Sequence, residues 1–256
     1  MRLSPRLRPL PLALCAAVFT LVLARPAGAA ETRPDPARIV ARADHIRFPP
    51  EGFQVNVTIT STSPGYDPDV RRYQILSKGN DRTLVMTTYP PIDRGQTLLM
   101  RDKDLWVFMP NVSQPIRLPL SQRLTGQVAN GDLARANFTG DYTAKLLRTD
   151  TIDGRPYYVL ELTAVNRSVT YHRVLYWVDK ANYRPYKAEF FTLSGRKLKI
   201  CRYEDYRTLA GRKRPTRLVM RDALRQGRQS VMTYSHMRLR NLPDKYFSKD
   251  YLKKLQ

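Results

Sequence analysis

Phe53-Gln54-Val55-Asn56-Val57-Thr58-Ile59-Thr60 alternates apolar and polar side chains without a break. Successive side chains of an extended chain point to opposite faces, so this stretch predicts a strand with one apolar face and one wet face. Working downstream, further candidate strands follow at short intervals, at 72–77, 83–89, 97–101 and 105–109. Alternation then returns at 142–148, 157–164, 170–178, 186–193, 197–206, 217–221 and 230–239. Turn-forming residues stand between neighbours: Gly79-Asn80-Asp81, Asp102-Lys103-Asp104, Asp153-Gly154, Ser194-Gly195, Gly211 and Gln226-Gly227. Strands joined by such short turns pair antiparallel. A meander of about a dozen of them curls into a barrel or a strongly bent sheet.

Two stretches break the rhythm. Asp35-Pro36 reads as an N-cap followed by proline at the first helical position, and Ile39, Val40, Ala43 and Ile46 fall on one stripe, which predicts an amphipathic helix over 36–47. Residues 121–136 lose the alternation and are expected to be helical or irregular cover for the sheet. A short helix capped by Ser248 is expected near the end.

Upstream, Arg2, Arg6 and Arg8 precede an apolar run from Leu10 to Ala24 and the small residues Ala27-Gly28-Ala29. The run falls short of the roughly 20 residues of a spanning helix, and the pattern is that of a secretion signal, so residues 1–29 are expected to be removed and 30–256 to form a single β domain. Leu14 before Cys15 argues against a lipidated cysteine. Cys201 is then the only cysteine left, so no internal disulfide holds the fold, which must rest on its core.

The net charge is +22, and little of it belongs to the leader. The basic residues are spread along the strands, as in Arg196-Lys197-Leu198-Lys199-Ile200, rather than gathered with exposed aromatics. That argues against nucleic acid and leaves anionic lipid headgroups, an acidic partner or a solubilising surface. Catalysis is not expected. His45, His172 and His236 stand in separate segments, and the chain lacks HxxxH, paired CxxC, GxSxG and a glycine-rich phosphate loop. Asp102 and Asp104 belong to a turn, and Glu204 and Asp205 point to opposite faces of one strand.

Several stretches together resemble a known family. Leu105-Trp106-Val107-Phe108-Met109-Pro110, Tyr176-Trp177-Val178-Asp179-Lys180, Arg184-Pro185-Tyr186-Lys187-Ala188-Glu189-Phe190-Phe191, Ser194-Gly195-Arg196 and Asn241-Leu242-Pro243-Asp244 with Phe247-Ser248 stand in the order and spacing of the outer-membrane lipoprotein-sorting proteins, the LolA-like family. The chain is most similar to the branch found beside RND-type lipid exporters. It departs from that branch after the cover, where Asn137-Phe138-Thr139-Gly140-Asp141-Tyr142 replaces the usual cluster of phenylalanine, glycine and aspartate.

The resemblance implies a mainly β fold, an antiparallel, incomplete (half-open) barrel of about 11 strands covered by short α-helices. It also implies a periplasmic location, no cofactor, no metal, and an apolar cavity that takes acyl chains of a lipid or lipoprotein on the way to the outer membrane. An RND-type inner-membrane exporter and an outer-membrane acceptor are the implied partners, and the chain is read as a monomer. Apolar strand faces supply the candidate lining: Val55, Val57, Leu84, Met86, Leu98, Met100, Trp106, Phe108, Leu160, Trp177 and Phe190. Periodicity shows which of these share a face and not which face turns inward. The alternative reading is an accessory or sensor subunit that binds a membrane protein complex rather than a lipid.

Overall fold

The computed structural model describes residues 34–110 and 112–253. The expected leader, residues 1–29, lies outside the described residues. The chain opens with helix α1 (Pro36–Arg47), whose N-cap Asp35 accepts a hydrogen bond from Ala37 N, with Pro36 in the first turn as the sequence predicts. Strands β1 (Phe53–Ser63), β2 (Tyr66–Lys78), β3 (Arg82–Tyr89), β4 (Thr97–Arg101), β5 (Asp104–Phe108) and β6 (Ile116–Leu118) follow. A small hairpin, β7 (Arg123–Thr125) with β8 (Val128–Ala129), leads into a one-turn helix α2 (Asn130–Ala134). The second run comprises β9 (Tyr142–Ile152), β10 (Arg155–Ala164), β11 (Arg173–Asp179), β12 (Pro185–Phe191), β13 (Lys197–Leu209), β14 (Arg212–Asp222) and β15 (Gln229–Leu239). A 3-10 turn (Asp244–Phe247) and α3 (Lys249–Lys253) close the described chain.

All strands except β7 and β8 form one 13-stranded sheet in the order β6-β5-β4-β3-β2-β1-β15-β14-β13-β12-β11-β10-β9, antiparallel throughout. The first and second runs meet where β1 pairs with β15. The outer strands β6 and β9 do not pair with each other, so the barrel is incomplete, as expected; it has two more strands than the resemblance implies. A single apolar cluster nonetheless takes Leu98, Met100, Leu105 and Val107 from one wing and Leu160, Leu162, Val174 and Tyr176 from the other. Strands so far apart in the order share one cluster only because the sheet curls into a trough.

The strands are longer than the alternation alone suggests. The alternation places β14 at 217–221, yet the strand begins at Arg212 and runs through Pro215. The reason is topological. β15 pairs with β14 only over Arg217–Arg221, so the missing N–H of Pro215 has no partner to deprive on that side. Two-residue turns at Asp153-Gly154 and Ala210-Gly211, with φ positive at all four, give the turn twist that such hairpins require.

The stripe of α1 also differs from its reading. Ile39, Val40 and Ala43 are buried as expected, but the buried face continues through Asp44 and Arg47, and Ile46 is half-buried. α3 follows Ser248, whose Oγ accepts from Tyr251 N as the expected cap, and the tail packs on the convex face of β3–β5, where Leu242, Phe247 and Leu252 bury Leu84, Leu99 and Phe108. Phe247 is fully buried there, so Phe247→Ala is expected to cost about 3–5 kcal/mol. Chemical denaturation with an unchanged m-value checks this.

Candidate functional site

The inner face of the trough is the largest apolar surface of the molecule. Val55, Val57, Ile59, Tyr73 and Ile75 form its floor beside Leu218, Met220, Met232 and Tyr234. It is roofed by elements that are not part of the sheet: Ile39, Val40 and Ala43 of α1, and Val128, Leu133, Ala134 and Phe138 of the segment between the two wings. These side chains fill the trough almost completely. The apolar space left between Phe48, Phe53, Val55, Ile75, Leu133 and Tyr234 is about 20 Å³, room for little more than one water molecule.

The eleven residues read as cavity lining divide between the two faces. Val55, Val57, Leu98, Met100, Leu160 and Phe190 belong to the inner cluster. Leu84, Trp106 and Phe108 instead pack against the tail on the convex side, and Met86, two residues from Leu84, shares that side. Trp177 lies outside too, with Tyr157 and Val159, its indole N–H donating to Asp150 Oδ2 at 2.9 Å. These five cannot line the trough. The misreading has a physical cause: β3–β5 are covered on both faces, so both carry large apolar residues and the inward face has no distinguishing mark.

Polar contacts fasten the roof. Asp44 Oδ2 accepts from Phe138 N at 3.0 Å, Thr139 N at 2.8 Å and Thr139 Oγ1 at 2.7 Å, tying α1 to the segment after α2. Burial pushes this carboxyl above its ordinary value, while the Arg47 guanidinium and these donors act the other way. Arg47 Nη1 faces Asp44 Oδ1 at 3.5 Å, and its guanidinium lies 5.0 Å from the Phe138 ring centroid and 5.5 Å from that of Tyr203. The far end of α1 is held by Arg214, which donates to His45 O at 2.8 Å and Ile46 O at 3.1 Å, a charged cap on the helix C-terminus.

Two further clamps act on the segment itself. Arg135 grips Asp141 through Nε at 2.5 Å and Nη2 at 2.7 Å, and donates to Asp102 O at 2.6 Å. Asp132 accepts from Lys199 Nζ at 2.7 Å, from the Tyr171 hydroxyl at 2.8 Å and from Ala129 N at 2.8 Å, and Lys199 also donates to Gln127 O at 2.6 Å. The departure noted at Asn137-Phe138-Thr139-Gly140-Asp141-Tyr142 is therefore the piece that latches the roof.

Sequence reasoning missed these polar groups. The usable signal was in α1, where Asp44 and Arg47 fall four residues after Val40 and Ala43 and so interrupt the apolar stripe itself. Gly131 is a second hidden constraint, since a Cβ there would stand 1.9 Å from Thr170 Oγ1.

Two outcomes follow. Asp44→Ala removes the acceptor of three hydrogen bonds and leaves Arg47 buried without its counter-charge, which is expected to cost about 3–5 kcal/mol. Amide hydrogen exchange at residues 138 and 139 should rise well beyond that of the β13–β14 pair. Cys201 is fully buried and its thiol is pushed up to about 12 by burial. It stays protonated at pH 8, so Ellman's reagent is expected to leave it unmodified in the native protein and to titrate it fully in guanidinium chloride.

A protein-family profile described as "uncharacterized protein" matches residues 79–254. No curated protein matches the chain. Among solved structures, a LolA superfamily protein from Nitrosomonas europaea is 59% identical, with a TM-score of 0.83, over 86% of this chain and 100% of that one. A putative outer membrane lipoprotein-sorting protein domain from Vibrio parahaemolyticus shares the fold at 21% identity and a TM-score of 0.72, over 85% of this chain and 98% of that one. A DUF1329 family protein from Desulfovibrio piger does so at 21% and 0.73, over 86% and 100%. With the open trough, its roof and this identity over nearly the whole described chain, the protein belongs to the LolA superfamily.

Proposed function

We propose that the protein is a periplasmic carrier, not an enzyme, that takes acyl chains of a lipid or lipoprotein against the inner face of the trough and delivers them towards the outer membrane. In this reading residues 1–29 are a cleaved export signal, residues 30–256 act as one domain, and an RND-type exporter and an outer-membrane acceptor stand at either end of the route. The observation that carries the reading is that the largest apolar surface is covered by a helix and a short segment between the wings rather than by sheet. Val55, Val57, Leu98, Met100, Leu160 and Phe190 are the proposed lining, now joined by Ile75, Met220, Met232 and Tyr234. Acyl chains would displace Leu133, Ala134 and Phe138, and each CH₂ buried supplies roughly 0.8 kcal/mol. The family supports a carrier fold.

A second reading, a protein-binding accessory subunit, draws on the filled interior. One experiment separates the two. Gly131→Cys with Thr170→Cys brings a disulfide within reach between α2 and the β10–β11 loop, where a Cβ at 131 would lie 3.0 Å from Thr170 Cβ, about 0.5 Å closer than a disulfide prefers, so the loop must yield slightly to form it. The carrier reading expects acyl lipid to copurify with the reduced protein in detergent-free native mass spectrometry and to exchange with added lipid. It expects oxidation to stop that exchange and dithiothreitol to restore it. A clean apo mass after incubation with native membranes, oxidised or reduced, would overturn the carrier reading and favour the accessory one.

A further inference from the structure

In an antiparallel meander the turns fall alternately at the two ends of the sheet. Six of them share one end: β1–β2, β3–β4, β5–β6, β10–β11, β12–β13 and β14–β15. Each carries an exposed large apolar side chain at or next to its tip, respectively Tyr66, Ile92, Val112, Val165, Leu193 and Leu224. Ile92 is 90% exposed, Tyr66 76% and Leu193 68%, values at which the side chain contributes almost nothing to the core. The turns at the other end, 79–81, 102–103, 153–154, 180–184 and 210–211, carry none, and the exposed large apolar side chain at that end is Leu239, where β15 terminates beside Phe53. Single exposed apolar residues scattered over a surface need no explanation; one on every turn of one end and none on those of the other is a pattern.

The six tips also carry basic charge. Arg94, Arg167, Arg196 and Arg225 are exposed on them and make no ion pair among the described residues, and Arg228 stands beside them. The one acid within these turns, Asp93, is engaged by Arg71 at 2.8 Å; at their edges Asp69 is also held by Arg71, and Asp222 accepts from Leu224 N and Arg225 N. The other end is basic too, with Arg155, Arg212, Lys213 and Arg240 exposed beside its turns, so the apolar tips and not the charge distinguish the two ends. A pocket of about 240 Å³, lined by Val128, Ala129, Tyr171, Leu198, Lys199 and Leu224, opens at the six-tip end beside the β7–β8 hairpin.

From this we infer that the six-tip end docks on a lipid bilayer bearing anionic headgroups, the arginines meeting phosphates and the apolar tips entering the interfacial layer. Turns suit this role because their side chains project beyond the hydrogen-bonded sheet, and basic residues with interleaved apolar ones hold a protein at an anionic surface without spanning it. The inference goes beyond the carrier reading, since it concerns the outer surface and stands whether or not the trough opens.

The test uses protein exported by a bacterial host and purified without detergent, mixed with vesicles of equal phosphatidylglycerol and phosphatidylcholine or of phosphatidylcholine alone. Single cysteines at Ile92→Cys and Lys103→Cys carry an NBD fluorophore, the buried Cys201 staying unlabelled. Flotation with the anionic vesicles, with emission that rises and shifts to the blue at position 92 and stays unchanged at 103, is the expected result. Arg94→Gln, Arg167→Gln, Arg196→Gln and Arg225→Gln should each weaken partitioning about five-fold at low salt. Absence of flotation on anionic vesicles, an equal response at 103, or partitioning indifferent to the four changes overturns the inference. Loss of copurifying lipid in the native mass spectra would sink the carrier reading and leave these results as they stand.

Discussion

An antiparallel sheet that curls without closing leaves its inner apolar face to be covered by something other than a strand, and every unusual feature of this protein answers to that constraint. β6 and β9 do not meet. The roof over the trough is therefore built from α1 and the segment between the wings, each too short to fold on its own. One turn of helix such as α2 has no independent stability in water. Its conformation is imposed by the apolar side chains it buries and by the side-chain bonds that fasten it.

Those bonds explain why charged groups sit inside. Asp44, Arg47 and Lys199 are buried and Asp132 is half-buried, and each faces a backbone group, a hydroxyl, an aromatic ring or an opposite charge. Buried ion pairs add little net stability over apolar packing, but losing one partner is costly, which makes them good at selecting one arrangement over others. An apolar roof on an apolar trough could slide; one anchored at Asp44, Arg135 and Asp132 has a single register. Breaking these contacts exposes groups that water can solvate at once, so the roof is specific when closed and recovers part of the cost when it opens.

How far the sequence could be read follows from what each signal measures. Alternation found β1 because one of its faces is uniformly apolar, and the turn residues fixed the antiparallel order. Proline placement gave both ends of α1. The inward face of β3–β5 stayed hidden, because the tail around Phe247 buries their outer face as well. Trp106 and Trp177 read as lining because they lie on apolar strand faces, yet both serve the convex side. The fastening residues were invisible to a search for catalytic motifs, because Asp44, Asp132 and Lys199 come from distant parts of the chain and share only the task of holding α1 and α2 over the sheet.

The filled interior also bears on the energetics of a carrier. If the trough were empty, a long acyl chain would gain the full burial energy of its methylenes, on the order of 10 kcal/mol, and release would be slow. In the carrier proposed above, the chain would first displace Leu133, Ala134 and Phe138, whose own burial would be lost, so the net gain would be a difference between two apolar occupants of one surface. That would lower affinity without lowering the capacity to shield the chain from water. It would also suit release of cargo, because the roof side chains are already placed to refill the trough.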